Sequence, residues 1–194
     1  MADITLAFQG PFTFVGGESS IFHSPVADST GIYLWTIRQR EDDMHLIHYI
    51  GETTSFARRN REYLTQILGM NYGIFSPEKA REGVSEILWP GAWRDKTQDG
   101  PAIQIEAYET VRDDVMSYLA FLNVFFAELE DGIDSRLRKH IEGCIGWNLR
   151  NHHHEAKALY PDDCHIGTMA DKNHGTLRVS TPEEIRGLDL LIPY

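Results

Sequence analysis

The chain has 194 residues, of which 42% are hydrophobic and 24% are charged, and its formal net charge is −11 at pH 7. This length suits one globular domain, the composition excludes a wholly disordered chain, and no apolar run approaches the roughly 20 residues that cross a bilayer. A generic nucleic-acid coat should be basic, so the charge argues against that class but leaves room for an enzyme with a local basic site. Two cysteines, Cys144 and Cys164, form no disulfide framework, and the N-terminus lacks a secretory pattern, so we expect a cytoplasmic protein that does not engage a membrane.

The first half of the chain predicts strands followed by helices. Short apolar runs between turn formers in the first 30 residues predict two short strands, at 4–8 and 12–15. Residues 31–38 and 45–50 are rich in β-branched and aromatic side chains and flank a polar turn, which predicts a β-hairpin. A helix with an apolar stripe should follow at 55–69.

The second half is predicted to be mostly helical. Helices are expected at 77–88, 113–129 and 135–150, with a strand at 102–108, where apolar and polar residues alternate, and a short helix that begins at Thr181. Few strands, with the first two antiparallel, favour an α+β fold over a doubly wound sheet.

Two triplets within the predicted hairpin point to chemistry. Residues 31–33 read Gly-Ile-Tyr and residues 49–51 read Tyr-Ile-Gly, so each tyrosine lies near a glycine that permits close approach. Arg59 follows on the next helix, and Glu142 lies on a later one. Phenols, a guanidinium and a carboxylate together suit phosphodiester hydrolysis, which needs a base for water, a cation for the phosphoryl oxygens and an oxygen ligand for a metal.

With these motifs the sequence resembles the GIY-YIG endonuclease family. The resemblance rests on Gly31-Ile32-Tyr33 and on the segment from Tyr49 to Arg59, and more weakly on Glu142. Its strong part covers residues 31–68. It implies an α+β fold with a small antiparallel three-stranded sheet flanked by helices, and metal-dependent cleavage of DNA.

The resemblance also implies domain boundaries and a cofactor. It places a nuclease domain at 31–154, between an N-terminal extension with short strands at 1–30 and a C-terminal extension at 155–194 that packs on the same domain. The implied cofactor is Mg²⁺, for which Mn²⁺ should substitute. A single glutamate suffices as protein ligand, because Mg²⁺ keeps several waters and is often held by one or two carboxylates plus substrate phosphate.

The resemblance assigns a role to each matching residue. Tyr33 corresponds to the general base or its partner, Tyr49 to the second phenol, Arg59 to the phosphate clamp and Glu142 to the metal-binding carboxylate. Many members carry a histidine one helical turn after the arginine, where this chain has Tyr63 as a catalytic candidate.

The substrate contacts are less well specified by the sequence. The family usually offers an asparagine after the glutamate, for which Asn148 and Asn151 are candidates, and Arg58, Arg61 and Arg138 are candidates for contacts with DNA. These basic residues would make the cleft positive on an acidic body. No separate DNA-binding domain is recognisable, so the extensions, a protein partner or a second copy of the chain must supply specificity.

Two other interpretations stay open. The chain could be an inactive descendant that keeps the fold as a binding module for nucleic acid or protein. A zinc site could be built from residues 152–154 with Cys164 and His165, although consecutive histidines point apart in regular structure. His48 directly precedes Tyr49 and should therefore point to the opposite face of its strand.

Overall fold

The computed structural model describes residues 3–92, 100–130, 132–153, 156–159 and 175–194. These residues form strands, α-helices and two short 3-10 turns, at Ile21–His23 and Ala156–Leu159. The strands are β1 (Ile4–Thr13), β2 (Gly31–Arg38), β3 (His45–Thr53), β4 (Ile74–Phe75), β5 (Ile87–Trp89), β6 (Leu122–Glu128), β7 (Thr176–Ser180), β8 (Ile185–Arg186) and β9 (Leu191–Pro193). The helices are α1 (Phe56–Leu68), α2 (Pro77–Arg81), α3 (Gly100–Phe121) and α4 (Ser135–His152). None of the helices among the described residues is long and apolar enough to span a membrane.

The expectation of a small three-stranded antiparallel sheet is wrong. The main sheet has seven strands in the order β8-β3-β2-β6-β1-β7-β9, and β4 and β5 form a separate two-stranded sheet. The larger sheet is mixed, because β7 runs parallel to β1 and β8 runs parallel to β3. The N-terminal strand β1 and the C-terminal strands β7, β8 and β9 all belong to this sheet. Apolar residues that alternate along these strands, such as Leu6, Phe8 and Leu177, are buried in the core.

Two predictions in the middle of the chain are also wrong. The predicted strand at 102–108 lies within α3, where Ile103 and Ile105 are exposed on a helix instead of alternating across a sheet. The predicted helix at 113–129 ends at Phe121, and the following residues form β6 between β1 and β2. A short apolar run buried on both faces has no periodicity that separates a strand from a helix, so the pattern of β6 was ambiguous.

Other boundaries differ from the predictions for local reasons. The helix expected at 77–88 is only α2, because Gly83 adopts a positive φ of 76° and the chain turns into β5. The helix expected from Thr181 is absent from residues 175–194, which form β7, β8 and β9. The two short N-terminal strands are one strand, β1.

The elements that carry the proposed site are confirmed. The hairpin of β2 and β3 forms, with Tyr33 opposite Gly51, and β6 pairs with the other edge of β2. Gly31 is required there, because a Cβ at this position would overlap the Ala127 carbonyl of β6. Helices α1 and α4 form close to their predicted bounds, and the side chains of Ser55 and Asp134 cap their first turns.

Candidate active site

The first motif tyrosine lies directly over the glycine of the second motif. Tyr33 is 1% exposed, and a Cβ at position 51 would overlap its hydroxyl oxygen. Because the two residues are register partners on adjacent strands, the missing side chain of Gly51 is the space that the phenol fills. The packing of Tyr33 over Gly51 therefore explains the spacing of the two triplets, and this explanation does not depend on any catalytic role.

A chain of polar contacts joins the second tyrosine to α1. The hydroxyl oxygens of Tyr49 and Tyr63 are 2.7 Å apart, and Nη2 of Arg59 donates to the Tyr63 oxygen at 3.1 Å. The Arg59 guanidinium carbon also lies 4.6 Å from the centre of the Tyr63 ring. Arg59 and Tyr63 are one helical turn apart, so α1 presents both to the hairpin on the same face.

The two motif tyrosines differ in burial. Burial raises the pKa of Tyr33 well above its usual value of 10, and the neighbouring Tyr63 and Tyr49 raise it further, while Arg59 lowers it. Tyr33 is therefore a neutral phenol in this fold. Tyr49 is only half-buried and belongs to the hydrogen-bonded chain that ends on Arg59. It is the better placed of the two motif tyrosines to exchange a proton with solvent or substrate.

The Glu142 carboxylate lies close to the hairpin and to α1. Burial raises its pKa to about 7, Glu52 raises it as well, and Arg59 and Lys139 act in the opposite direction. Within the described residues the carboxylate makes no hydrogen bond or ion pair. A half-buried carboxylate that lacks such a partner is destabilised when it is charged, because it has lost part of its hydration. A bound cation would offset that desolvation penalty.

A buried ion pair holds α4 against the end of β3. Nε of Arg138 lies 2.8 Å from Oε2 of Glu52, and its Nη1 donates to the carbonyl of Ile133 at 2.8 Å. The side chains of Arg138 and Glu52 are 9% and 17% exposed. Arg138 therefore forms part of the wall of the site, one helical turn before Glu142, and not an exposed surface for DNA. Glu52 was missed by sequence reasoning, although it directly follows the motif glycine.

The other candidates for substrate contacts lie in different surroundings. Arg58 is exposed and pairs with Glu62 at 2.8 Å, and Arg61 is exposed on the same helix. Asn148 is buried, and its Nδ2 donates to Asp189, whereas Nδ2 of Asn151 donates to the Trp147 carbonyl.

Neither asparagine shares the helical face of Glu142. With about 100° per residue, the positions six and nine residues further along α4 point about 120° and 180° away from that of Glu142. The structure therefore brings Tyr33, Tyr49, Arg59 and Tyr63 together. Glu142 lies within electrostatic reach of Arg59, and neither Asn148 nor Asn151 is brought to the group.

The histidines do not join this group. His48 points away from Tyr49, as predicted: its Nδ1 lies 2.9 Å from the Leu159 carbonyl oxygen and its Nε2 lies 2.5 Å from the Tyr118 hydroxyl. His153 pairs with Asp189 at 3.0 Å. The ring of His152 packs against that of Trp147. The remaining residues of the possible zinc site, His154, Cys164 and His165, lie outside the described residues.

Comparisons with protein-family models, with curated proteins and with solved structures found no match. In the part of the chain that the structure describes, no three His, Cys, Asp or Glu side chains are grouped so that they could hold a metal ion. The function must therefore be inferred from the chemistry of the grouped side chains themselves.

Proposed function

We propose that this chain is a metal-dependent endonuclease of the GIY-YIG type that hydrolyses phosphodiester bonds in DNA. The observation that carries the proposal is a guanidinium hydrogen-bonded to a pair of phenols beside one end of the hairpin, with a carboxylate nearby that has no hydrogen-bond or ion-pair partner among the described residues. Each of these groups supplies one requirement of phosphodiester hydrolysis.

Arg59 is the group that would bind the phosphate. Its side chain is 40% exposed, so the guanidinium reaches solvent while Tyr63 and Glu62 fix its orientation. Charge-assisted hydrogen bonds from a guanidinium to phosphoryl oxygens are strong and directional, and they strengthen as negative charge develops on those oxygens.

Tyr49 and Tyr63 would together manage the proton of the attacking water. In the proposed step, the water oxygen attacks phosphorus, its proton passes to a phenolate oxygen of the pair, and the bond from phosphorus to the leaving oxygen breaks. The leaving oxygen takes a proton from solvent and departs as a hydroxyl group. A phenol with a pKa near 10 needs positive charge nearby to ionise. Arg59 supplies that charge through its hydrogen bond to Tyr63. Buried Tyr33 would support the pair and shape the cleft.

Glu142 would hold the metal ion. Among the described residues this carboxylate has no ion-pair partner, and it would sit beside the arginine that binds the phosphate. Such a site fits Mg²⁺, which retains waters and takes its remaining ligands from substrate phosphate. When bound, the ion would neutralise charge on the phosphoryl oxygens. Mn²⁺ should substitute, since it also prefers oxygen ligands.

Cleavage assays test this proposal. Plasmid, branched DNA and single-stranded RNA are incubated with Mg²⁺ or Mn²⁺, beside EDTA, the Glu142→Ala variant and the matched variant Glu106→Ala, which removes an exposed carboxylate from α3. Metal-dependent cutting of DNA should vanish in Glu142→Ala and persist in Glu106→Ala. Equal cutting by both variants would contradict the assigned role of Glu142.

The second candidate is a binding module without catalysis. It is favoured by the buried, neutral Tyr33, by Tyr63 in the histidine position and by asparagines that face away from Glu142. Such a protein would cut none of these substrates with either metal and would bind DNA equally well before and after the Glu142→Ala change.

A further inference from the structure

An exposed tyrosine continues the row of phenols beyond the grouped residues. The Tyr72 ring lies 5.6 Å from the ring of Tyr63, and the ring of Tyr63 lies 5.5 Å from that of Tyr49. Tyr72 is 39% exposed, whereas Tyr63 is 6% exposed. Tyr72 is thus the outermost ring of this row and reaches solvent. The Tyr63 ring lies between Tyr72 and Arg59.

The backbone that presents Tyr72 is held firmly in place. The carbonyl of Met70 accepts the indole N–H of Trp89 at 2.7 Å and the backbone N–H of Ala92 at 3.0 Å. Gly91 has a φ of 95°, and a Cβ there would lie 2.8 Å from the carbonyl carbon of Tyr72. The backbone beside Tyr72 is therefore held before any ligand arrives, and the Tyr63 ring packs against the Tyr72 ring. Both lower the entropy cost of a contact made through Tyr72.

We propose that Tyr72 stacks on the nucleobase next to the scissile phosphate. The inference deepens the proposed nuclease function and rests on it. Proteins that bind single strands combine cations along the backbone with aromatic faces for the bases, and Arg59 and Tyr72 flank Tyr63 in that arrangement. Bases within a duplex are already stacked, so the ring selects DNA in which the nucleotide beside the cleaved bond is unpaired.

Four variants test the stacking role. Tyr72→Leu keeps most of the volume but loses the aromatic face, Tyr72→Ala removes both, and Tyr72→Phe removes only the hydroxyl. Tyr108→Ala is the matched control, because Tyr108 is an exposed tyrosine on α3. Binding is measured in EDTA by fluorescence anisotropy with a DNA hairpin that carries a single-stranded arm, and cleavage of the same DNA is measured in Mg²⁺.

The expected result is a loss of binding that follows the aromatic face. Because each variant loses one stacked base, Tyr72→Leu and Tyr72→Ala should raise Kd and KM about tenfold or more with little change in kcat. Tyr72→Phe and Tyr108→Ala should match the wild type. Unchanged Kd and KM in Tyr72→Leu would overturn the proposal, and so would an equal loss in Tyr72→Phe, which indicates a contact through the hydroxyl.

Abasic substitution identifies the stacked base. An abasic site is placed in turn at each position around the mapped cut. One position next to the cut should weaken binding by the wild type by about tenfold but have no further effect on Tyr72→Leu. If the abasic site weakens binding by Tyr72→Leu as much as it weakens binding by the wild type, the two losses are independent and the stacking role is overturned.

The nuclease proposal and the stacking proposal fail in different ways. If the wild type binds this DNA in EDTA but never cuts it, the nuclease fails while the binding comparison still tests Tyr72. If it binds no DNA, both are overturned.

Discussion

Replacing Glu142, which we propose as the metal ligand, should stabilise the fold while it abolishes the proposed activity. In the folded protein the pKa of Glu142 is raised from its ordinary value of 4.5 to about 7, chiefly by burial. The folded state therefore disfavours the charged form. Glu142→Gln removes that charge and nearly preserves the shape of the side chain, so the variant should unfold at a higher temperature than the wild type above pH 7.

The magnitude follows from the difference between the two pKa values. At about 1.36 kcal/mol per unit, the difference corresponds to at most about 3 kcal/mol. Partial exposure to water lowers this to about 1–2 kcal/mol, which corresponds to about 2–8 °C in Tm for a chain of this size. This loss of stability is absent at pH values below the pKa of Glu142 in the unfolded chain. It grows as the pH rises and reaches its full size above the pKa of Glu142 in the folded protein. It should therefore be complete at pH 8 and nearly absent at pH 4.5.

Thermal unfolding followed by circular dichroism checks the prediction. Wild type, Glu142→Gln and the exposed-site control Glu106→Gln are compared in EDTA at both pH values, because a bound metal would itself stabilise the charged carboxylate. The Tm of Glu142→Gln should exceed that of the wild type only at the higher pH. A lower Tm for Glu142→Gln at pH 8, or a difference that is the same at both pH values, would refute this account of the site.

Three further changes have clear directions. Gly51→Ala places a methyl group against the Tyr33 hydroxyl and should lower the free energy of unfolding by about 1–3 kcal/mol, so an unchanged urea midpoint would contradict the packing described here. Arg138→Met leaves the Glu52 carboxylate without its ion-pair partner and should lower the free energy of unfolding by about 3 kcal/mol. Adding Glu52→Gln to the same chain should restore most of that loss. Losses that add in urea unfolding would show that the pair is not coupled. Burial lowers the pKa of His48 from 6.5 to about 4, so its contribution to stability is full above pH 6.5 and is lost, by about 3 kcal/mol, as pH falls toward 4. Urea unfolding between pH 7 and 4 should show a shallower pH dependence in His48→Gln than in the wild type, and parallel curves would contradict a buried neutral imidazole.

The sequence predicted the parts of the fold that carry strong local signals. The hairpin has two β-rich runs around a polar turn, α1 begins at a serine cap, and α4 begins at an aspartate cap. The extent of the sheet had no such signal, because β1 pairs with β6 and β7, which lie far along the chain. These pairings depend on tertiary packing that no local pattern records.

The candidate site shows the same division. The hairpin register brings Tyr33 beside Tyr49, and one helical turn relates Arg59 to Tyr63. The hydrogen bond between Tyr63 and Tyr49, which joins the two pairs, could not be read from the motif spacing. The ion pair of Glu52 with Arg138 spans 86 residues and could not be predicted from spacing. Tyr72 is one of several exposed aromatics, and only its distance to other rings sets it apart.

Cleavage of end-labelled DNA in Mg²⁺ by the wild type, Arg59→Ala and Glu142→Ala tests the central claim most directly. The wild type should cut, EDTA should stop it, and each variant should lose at least about a hundredfold in rate, since removing one group that stabilises the transition state costs that much or more. Binding of the same DNA to Glu142→Ala in EDTA should be retained, which shows that the variant is folded and that only the chemistry is lost. Wild-type protein that binds DNA but never cuts it, or cutting that continues in Glu142→Ala at the wild-type rate, would contradict the nuclease.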